Sequence, residues 1–439
     1  MGFNIKKLKA GGIILYTPKM KLTPEESAIL KGEKGEVLQK AMESIVRYGD
    51  IYGAECLADI NAPTHLVTSF GIPMLKPVFS IMDKLINAGI KILPFTVNPR
   101  PIDYQNIKCS LLEKLVFKIM YGKQSDYEAQ LKSIGLKDDN AFTCACYFDE
   151  VGNIPKYGEP LTWAESSAVI YANSVLGARC NRNSGVIELL GGVLKKAPVF
   201  GFLTDEGRKA DYIIEVKTST LPPAPVLGSC IGMKVMEKVP YIKGLDTFLG
   251  KDLNATVKDY FKDMGAALAS NGAVGLFHVE NLTPEAAKGA AKIRDNAEVF
   301  VVTDETISQT VKDYPVIWKN PNSKPKMCFI GCPHLSLSQL KEWTLKLEDS
   351  LKKNKRSKLA IRTIFSSSPD TILLFKKTEE YSRFIKTGAK LTYICALMYM
   401  NNPLCRKKPV VTNSNKLRTY TTAKYYTDPD ILNIITGGK

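Results

Sequence analysis

The thiol of Cys332 stands where a strand would deliver it to the start of a helix. An apolar run over 327–330 breaks at Gly331, Cys332 follows, and a helical pattern opens at Ser336 or Ser338. Open α/β sheets bind their ligands at such strand ends. The free N–H groups of a helix N-terminus favour a thiolate or an anionic substrate. A buried structural cysteine is the alternative interpretation, because free cysteines are often core residues.

Two more apolar segments carry thiols, which widens the set of candidate metal ligands. Residues 141–148 contain Cys144 and Cys146, and residues 391–398 contain Cys395. The chain has ten cysteines but no CxxC pair, so neither a zinc ribbon nor a thioredoxin-like site is indicated. Three histidines are too few for a His-rich metal site. Cysteines spread along a chain without a secretory signal predict reduced thiols and a cytoplasmic location.

Polar residues near predicted helix starts and strand ends suit anion binding or proton transfer. Arg179 and Arg182 follow a helix that Gly177 can cap, beside the start of the next helix. Such a pair can clamp a carboxylate or a phosphate, although surface arginines explain the spacing equally well. His278 and Glu280 lie two residues apart on a predicted strand end and therefore share one face. They form a candidate proton-transfer pair, with a structural histidine as the alternative.

Alternating helix and strand patterns must position these residues. The predicted helices cover 24–50, 75–88, 105–136, 254–270, 337–353 and 378–387, and the predicted strands cover 55–60, 90–96, 141–148, 272–280, 298–302, 326–330, 359–364 and 391–398. Strand, helix and strand in this order predict βαβ units and an α/β fold.

Composition and charge exclude several classes of protein. The 439 residues are 45% hydrophobic and 24% charged, which is typical of globular proteins with two or three domains. No stretch approaches the roughly 18 apolar residues of a membrane helix, so no membrane span is predicted. The net charge is +16, but the only dense basic run (352–358) lacks interleaved aromatic residues. We therefore expect no nucleic-acid binding, and we expect the charge to attract small acidic substrates.

Residues 1–19 precede the first predicted helix. They hold four lysines and a short apolar patch, without the cleavage site of a signal peptide. Thr23 can cap a helix whose first residue is Pro24. We predict that residues 1–19 are a poorly ordered extension or result from a start codon placed too early.

Several stretches, in order along the chain, resemble the aconitase X family over nearly all of residues 20–420. They are KGE at 31–33, GDIYGA at 49–54, FTC at 142–144, WAESSA at 163–168, NSVLGAR at 173–179, HVE at 278–280, GCPHLS at 331–336 and TNS at 412–414. The resemblance implies an aconitase-like α/β fold with three α/β domains around a central cleft. We place these domains at 20–140, 141–293 and 294–439.

The resemblance also implies a hydro-lyase with a [2Fe–2S] or [4Fe–4S] cluster held by Cys144, Cys332 and Cys395. Such a reaction needs a Lewis acid on the leaving hydroxyl, and three thiolates leave one iron open for it. A base must also remove a weakly acidic C–H beside a carboxylate. The candidate catalytic residues are His65, Ser69 and His278. The candidate substrate-binding residues are Asn98, Arg179, Arg182 and Lys416.

Some features depart from the family pattern. Cys146 stands where many relatives have proline, so it competes with Cys144 as a ligand, and Cys180 stands where many have threonine. The chain stops where larger relatives continue into a small swivelling domain, which predicts a separate small partner subunit that contributes catalytic groups. The family's substrates are cis-3-hydroxy-L-proline and mevalonate 5-phosphate, and another small hydroxy acid is also open. A non-catalytic iron–sulfur or basic scaffold protein is the alternative function.

Overall fold

The computed structural model describes residues 16–67 and 76–438. At the end of the predicted extension, the Tyr16 hydroxyl and the Lys19 N–H donate hydrogen bonds to Asp50, at 2.6 and 2.9 Å. Residues 1–15 of that extension lie outside the described part. None of the described helices combines the length and the apolar character needed to cross a membrane.

Helices make up much of the described chain. Its α-helices are α1 (Pro24–Leu30), α2 (Glu36–Ile51), α3 (Lys76–Asn87), α4 (Leu111–Tyr121), α5 (Gln124–Ile134), α6 (Ser166–Tyr171), α7 (Gly185–Leu194), α8 (Ala224–Val235), α9 (Asp246–Leu249), α10 (Ala255–Gly272), α11 (Pro284–Ala287), α12 (Asp304–Lys312), α13 (Leu337–Lys353), α14 (Pro369–Phe375), α15 (Glu379–Lys386), α16 (Ala396–Met400), α17 (Asn415–Tyr420) and α18 (Asp428–Thr436). A π-helix (Ala172–Leu176) continues α6.

Most strands of the described chain have two to four residues. The strands are β1 (Leu57–Asp59), β2 (His65–Leu66), β3 (Thr96–Val97), β4 (Pro160–Leu161), β5 (Arg179–Cys180), β6 (Lys196–Pro198), β7 (Ala210–Val216), β8 (Pro240–Lys243), β9 (His278–Val279), β10 (Ile293–Val302), β11 (Met327–Leu335), β12 (Arg362–Ser367), β13 (Lys390–Thr392), β14 (Val410–Thr412) and β15 (Lys424–Tyr425). The longer ones are β7, β10, β11 and β12.

Both larger sheets are parallel throughout. One has the order β10-β7-β8-β9, and the other has the order β13-β12-β11-β14-β15. Parallel neighbours need crossover connections, and helices supply them here. The pairs β2–β3 and β4–β5 are also parallel, whereas β1–β6 is antiparallel. The predicted α/β class is confirmed, while the three-domain division around a cleft stays a prediction.

Each large sheet is covered by helices that bury apolar side chains against it. On the four-stranded sheet, Leu227 of α8 and Leu268 of α10 pack with Ile214 of β7. On the five-stranded sheet, Trp343 of α13 lies 5.5 Å, centroid to centroid, from Phe365 of β12. Strand β11 is the central strand of this second sheet: β14 pairs with it only at Met327 and Cys328, and β12 pairs with it over 327–330 and again at Leu335.

Several predicted elements are shorter in the structure or are broken. The predicted helix 24–50 is two helices, because the chain turns with positive φ at Gly32 and Gly35. The predicted helix 105–136 is likewise divided into α4 and α5. The long strand predictions for 90–96, 141–148, 272–280 and 391–398 were wrong. What remains of them is β3, β9, β13 and two isolated bridges, from Phe95 to Leu136 and from Phe142 to Val97. The thiol-bearing segments are therefore mostly loops at strand ends.

Candidate active site

One cavity of about 360 Å³ brings together the three predicted cysteine ligands. Cys144, Cys332 and Cys395 all line it, with two predicted substrate-binding residues, Asn98 and Lys416. The cysteines come from the loop after the Phe142 bridge, from the carboxyl end of β11 and from the cap of α16. The fold thus collects residues that are far apart in sequence at the ends of parallel strands, where α/β sheets bind ligands.

Cys332 lines the cavity because β11 stops pairing with β12 just before this residue. The pairing of β11 with β12 is interrupted between Ile330 and Leu335. Gly331 has a φ of 106°, and a Cβ at this position would lie 2.2 Å from the Ser366 carbonyl oxygen. Only glycine permits both this conformation and this close approach. The conformation of Gly331 therefore determines how the following residue, Cys332, is presented to the cavity.

Backbone hydrogen bonds fix the other two thiols. The His334 N–H donates to the Cys144 sulfur at 3.3 Å, and the His334 Nδ1 lies 2.9 Å from Thr143 Oγ1. The Cys395 N–H donates to the Arg100 carbonyl oxygen at 2.8 Å. His334, which sequence reasoning left without a role, thus connects the β11 loop to the Cys144 loop.

The three buried thiols lose their protons poorly unless a cation binds next to them. Burial raises the pKa of Cys144 to about 12 and that of Cys395 to about 11, and it also raises the pKa of Cys332. Metal binding requires thiolates, so a bound cation would have to offset this cost. Within the described residues, no three His, Cys, Asp or Glu side chains have the spacing to hold one metal ion. Three thiols that line one cavity are the kind of donor set that iron–sulfur clusters use.

A buried ion pair, Glu165 with Lys416, lies in the same cavity. The Lys416 ammonium donates to Glu165 and, at 3.0 Å, to Ser167 Oγ. Although burial opposes both charges, Lys416 holds the pKa of Glu165 below its usual value. Glu165 and the Cys332 and Cys144 sulfurs raise the pKa of Lys416 in turn. Sequence reasoning assigned Lys416 but not Glu165, although Glu165 stands inside the WAESSA stretch.

Of the two described site residues predicted in the first 100 positions, Asn98 lines the cavity and His65 does not. His65 is fully buried, with Nδ1 2.9 Å from Thr96 Oγ1, and its Nε2 has no hydrogen-bond partner within the described residues. Its backbone N–H donates to Glu188 at 3.1 Å, which fixes β2 beside the cavity. Asn98 follows β3 and lines the cavity. Ser69 lies outside the described residues.

The structure does not bring Arg179, Arg182 or His278 into this cavity. Arg179 pairs with Asp205, and Arg182 donates to a main-chain carbonyl oxygen. These guanidinium groups are already occupied by local partners on the side of the four-stranded sheet. The expected clamp therefore does not form around the cysteines.

His278 takes the structural alternative. Its Nε2 lies 3.0 Å from the Arg208 carbonyl oxygen and its Nδ1 lies 3.6 Å from Glu285. Arg208 and Glu285 form a buried ion pair at 2.7 Å. His278 therefore packs against this pair rather than forming the expected proton-transfer pair with Glu280.

Cys146 and Cys180, the two cysteines that depart from the family pattern, are core residues. Cys146 is fully buried, and its thiol is hydrogen-bonded to the side chain of Thr96. The Cys180 thiol donates to the carbonyl oxygens of Trp163 and Asn181, at 3.5 and 3.2 Å. Neither lines the cavity. The geometry therefore favours Cys144 over Cys146 as a ligand.

Acidification is expected to destabilise the native fold below about pH 6.5, the usual pKa of histidine. Burial lowers the pKa of His65 to about 4 and that of His334 to about 3, and it also lowers the pKa of His278. Below this pH the three histidine rings stay neutral in the native state, while those of the unfolded chain take up protons. The free energy of unfolding therefore decreases as the pH is lowered. Each ring contributes up to about 1.4 kcal/mol per pH unit. Urea unfolding at pH 7.5 and 5.5 measures this, and an unchanged free energy of unfolding would contradict it.

Comparisons with known proteins identify the family of this chain. The models of the Aconitase X first domain and the Aconitase X second domain match residues 19–206 and 210–312. The phosphomevalonate dehydratase large subunit of Methanocaldococcus jannaschii is 32% identical over 413 residues, which are 91% of this chain and 95% of that protein. That of Thermococcus kodakarensis is 34% identical over 332 residues, covering 74% of this chain and 76% of that protein.

A second kind of relative is matched over a smaller share of its length. The cis-3-hydroxy-L-proline dehydratase of Pseudomonas aeruginosa is 26% identical over 407 residues, which are 90% of this chain but 65% of that protein. Among solved structures, the holo-form of Thermococcus kodakaraensis aconitase X superposes with a TM-score of 0.77 and 29% identity, covering 96% of this chain and all of that one. The predicted hydro-lyase class and the predicted large-subunit role are confirmed. The chain belongs to the aconitase X family of dehydratases.

Proposed function

We propose that this chain is the large subunit of an iron–sulfur dehydratase that removes water from mevalonate 5-phosphate. The observation that carries the proposal is the single cavity that holds three thiols and a buried carboxylate–ammonium pair. The choice of substrate is supported by the phosphomevalonate dehydratase large subunits, one of which this chain spans over 95% of its length. The chain spans only 65% of the Pseudomonas aeruginosa cis-3-hydroxy-L-proline dehydratase.

Cys144, Cys332 and Cys395 would hold the iron–sulfur cluster. When bound, the cluster supplies a Lewis acid for the hydroxyl group that leaves the substrate. The hydrogen bond from the His334 N–H to the Cys144 sulfur stabilises a thiolate at that position. Cys395 gains similar support, because the N–H groups of α16 partly offset the effect of burial on its pKa.

Within this chain, Glu165 takes part in proton transfer and Lys416 binds the substrate carboxylate. Loss of water breaks one C–H and one C–O bond, forms a C=C bond and releases the proton and the hydroxide as water. Glu165, held ionised by Lys416, accepts the proton from the carbon next to the substrate carboxylate. The Lys416 ammonium attracts that carboxylate as negative charge develops on it. Asn98, which also lines the cavity, adds a polar contact for the substrate.

Apolar residues also line part of the cavity. They include Val67, Pro99, Leu397 and Met398. An apolar lining strengthens the attraction between Lys416 and an anionic substrate, because electrostatic interactions grow as the local dielectric falls. It also accommodates the hydrocarbon part of mevalonate 5-phosphate. We further propose that a separate small swivelling-domain subunit completes the site, since the relatives of this length are named large subunits.

The test is a substrate comparison on the reconstituted enzyme. The chain is purified anaerobically with the small subunit of its own source organism, loaded with iron and sulfide, and incubated with mevalonate 5-phosphate or cis-3-hydroxy-L-proline. Proton NMR should show a new vinylic signal from mevalonate 5-phosphate, and this substrate should be consumed at least about 100-fold faster than cis-3-hydroxy-L-proline, the scale of discrimination by a fitted apolar pocket. Faster turnover of cis-3-hydroxy-L-proline would overturn the substrate. An iron-loaded complex that turns over neither compound would support the non-catalytic alternative.

A further inference from the structure

Helix α4 presents an apolar row to solvent. Leu111, Leu112, Leu115 and Ile119 are 86%, 57%, 55% and 68% exposed. Residues 111, 115 and 119 follow one another at four-residue spacing and so lie on one face of the helix. Isolated exposed leucines need no explanation, but a contiguous apolar patch of this kind marks an interaction site. We call these four residues the α4 face.

The opposite side of α4 is firmly packed, so the exposed row is not a misplaced core face. Phe117 is fully buried, and its ring lies 5.5 Å from that of Tyr399. The Tyr121 hydroxyl donates to the Met398 carbonyl oxygen at 2.9 Å. Met398 and Tyr399 belong to α16, and Met398 lines the cavity of the candidate active site. Only one helix therefore separates the α4 face from that cavity.

A groove lies beside the segment that leads into α4. It has a volume of about 400 Å³, and its apolar wall includes Ile372, Leu373 and Tyr381. Lys108, from the segment before α4, lines the same groove, together with Lys376 and other residues of α14 to β13. No acidic side chain is among the described residues that line it. The groove offers a place for an apolar anchor surrounded by positive charge.

The charge around the α4 face has the same sign. Lys114 and Lys118 are exposed between the apolar residues of the row. The only acid of the helix, Glu113, points inward and pairs with Lys408 at 2.6 Å. An apolar surface with a basic rim fits a partner with an acidic rim. A second copy of this chain fits poorly, because each copy carries a net charge of +16.

We propose that the α4 face and the adjoining groove form the docking surface for the small subunit, which binds through an apolar patch with an acidic rim. The proposal rests on the proposed function, because it takes the small subunit of the dehydratase as the occupant. Contact between α4 and the α16 wall favours this partner over a lipid surface, since a subunit that completes the site must settle next to the cavity. Docking there would hold α16, and with it Cys395, in place.

The experiment measures the dissociation constant of the complex between the two subunits from the same source organism, with this chain loaded with iron and sulfide. The variants are Leu115→Asp/Ile119→Asp and Lys114→Glu/Lys118→Glu. Each is expected to weaken binding by at least about tenfold, as loss of central interface contacts does. Leu345→Asp is the matched control, because Leu345 on α13 is 50% exposed and lies outside this surface. Iron content and the urea midpoint confirm that each variant is folded.

Four other results would overturn the docking proposal, and each has a different meaning. If the α4 variants bind the small subunit as the wild type does, the surface is wrong while the proposed function stands. If the wild type does not bind the small subunit at all, both fail. If the variants lose binding only to phosphatidylglycerol vesicles, the surface serves a membrane. If sedimentation shows a dimer of this chain that Leu115→Asp/Ile119→Asp dissociates, the occupant is a second copy.

Discussion

Replacement of Cys144, Cys332 or Cys395 by serine is expected to strip this protein of its iron and sulfide. Each thiol lines the same cavity, and a hydroxyl group is a much weaker ligand for iron than a thiolate. Loss of an outer partner of a metal ligand already costs about 10- to 100-fold in affinity, so loss of a ligand itself should cost at least as much. Anaerobic purification with the small subunit, iron and sulfide analysis and the visible absorption spectrum measure the effect.

Two matched cysteines serve as controls for that experiment. Cys56 is exposed, so Cys56→Ser should keep the iron content and the spectrum of the wild type. Cys146→Ala removes a core thiol that does not line the cavity and should also keep the cluster, with some loss of stability. Loss of iron from Cys146→Ala but not from Cys144→Ser would reverse the assignment of the ligand in this segment. A wild-type protein free of iron under these conditions would remove the cluster from the proposal altogether.

Glu165→Gln is expected to abolish most of the turnover while leaving the cluster in place. The variant keeps a side chain of the same shape but removes the proton acceptor, which costs about 10²- to 10⁴-fold in rate for a general base. Each single variant has a second effect, because Glu165→Gln leaves the buried Lys416 charge without its partner and Lys416→Met leaves the buried Glu165 charge without its partner. Breaking such a pair costs about 3–5 kcal/mol in the free energy of unfolding. Turnover per bound iron and urea unfolding measure the two effects separately.

The double variant Glu165→Gln/Lys416→Met distinguishes a catalytic pair from a structural one. It removes both charges, so most of the stability should return while turnover stays low. The buried pair of Arg208 and Glu285 provides the control, because it lies outside the cavity. Glu285→Gln should lower stability yet keep the turnover of each folded, iron-loaded molecule. Wild-type turnover in Glu165→Gln would exclude Glu165 as the proton acceptor.

Local sequence patterns determined much of the scaffold. The apolar run before Gly331 and the helical pattern after Ser336 predicted β11 and α13, because periodicity and capping act over a few residues. The order of helices and strands likewise predicted the α/β class with parallel sheets. The resemblance to the family indicated the three cysteines, Asn98 and Lys416 as site residues, and one cavity is lined by all five.

The tertiary structure alone decided which polar residues meet. Arg179 and His278 stand in family motifs like the cysteines, yet Asp205 and the Arg208–Glu285 pair engage them elsewhere. Glu165 had no distinguishing spacing, and its role appears only because α17 brings the Lys416 ammonium to it. Strand length near the cysteines was also decided by packing, which keeps these segments as loops at strand ends. The sequence thus determined the elements, since their causes are local, whereas contacts between distant residues exist only in the folded chain.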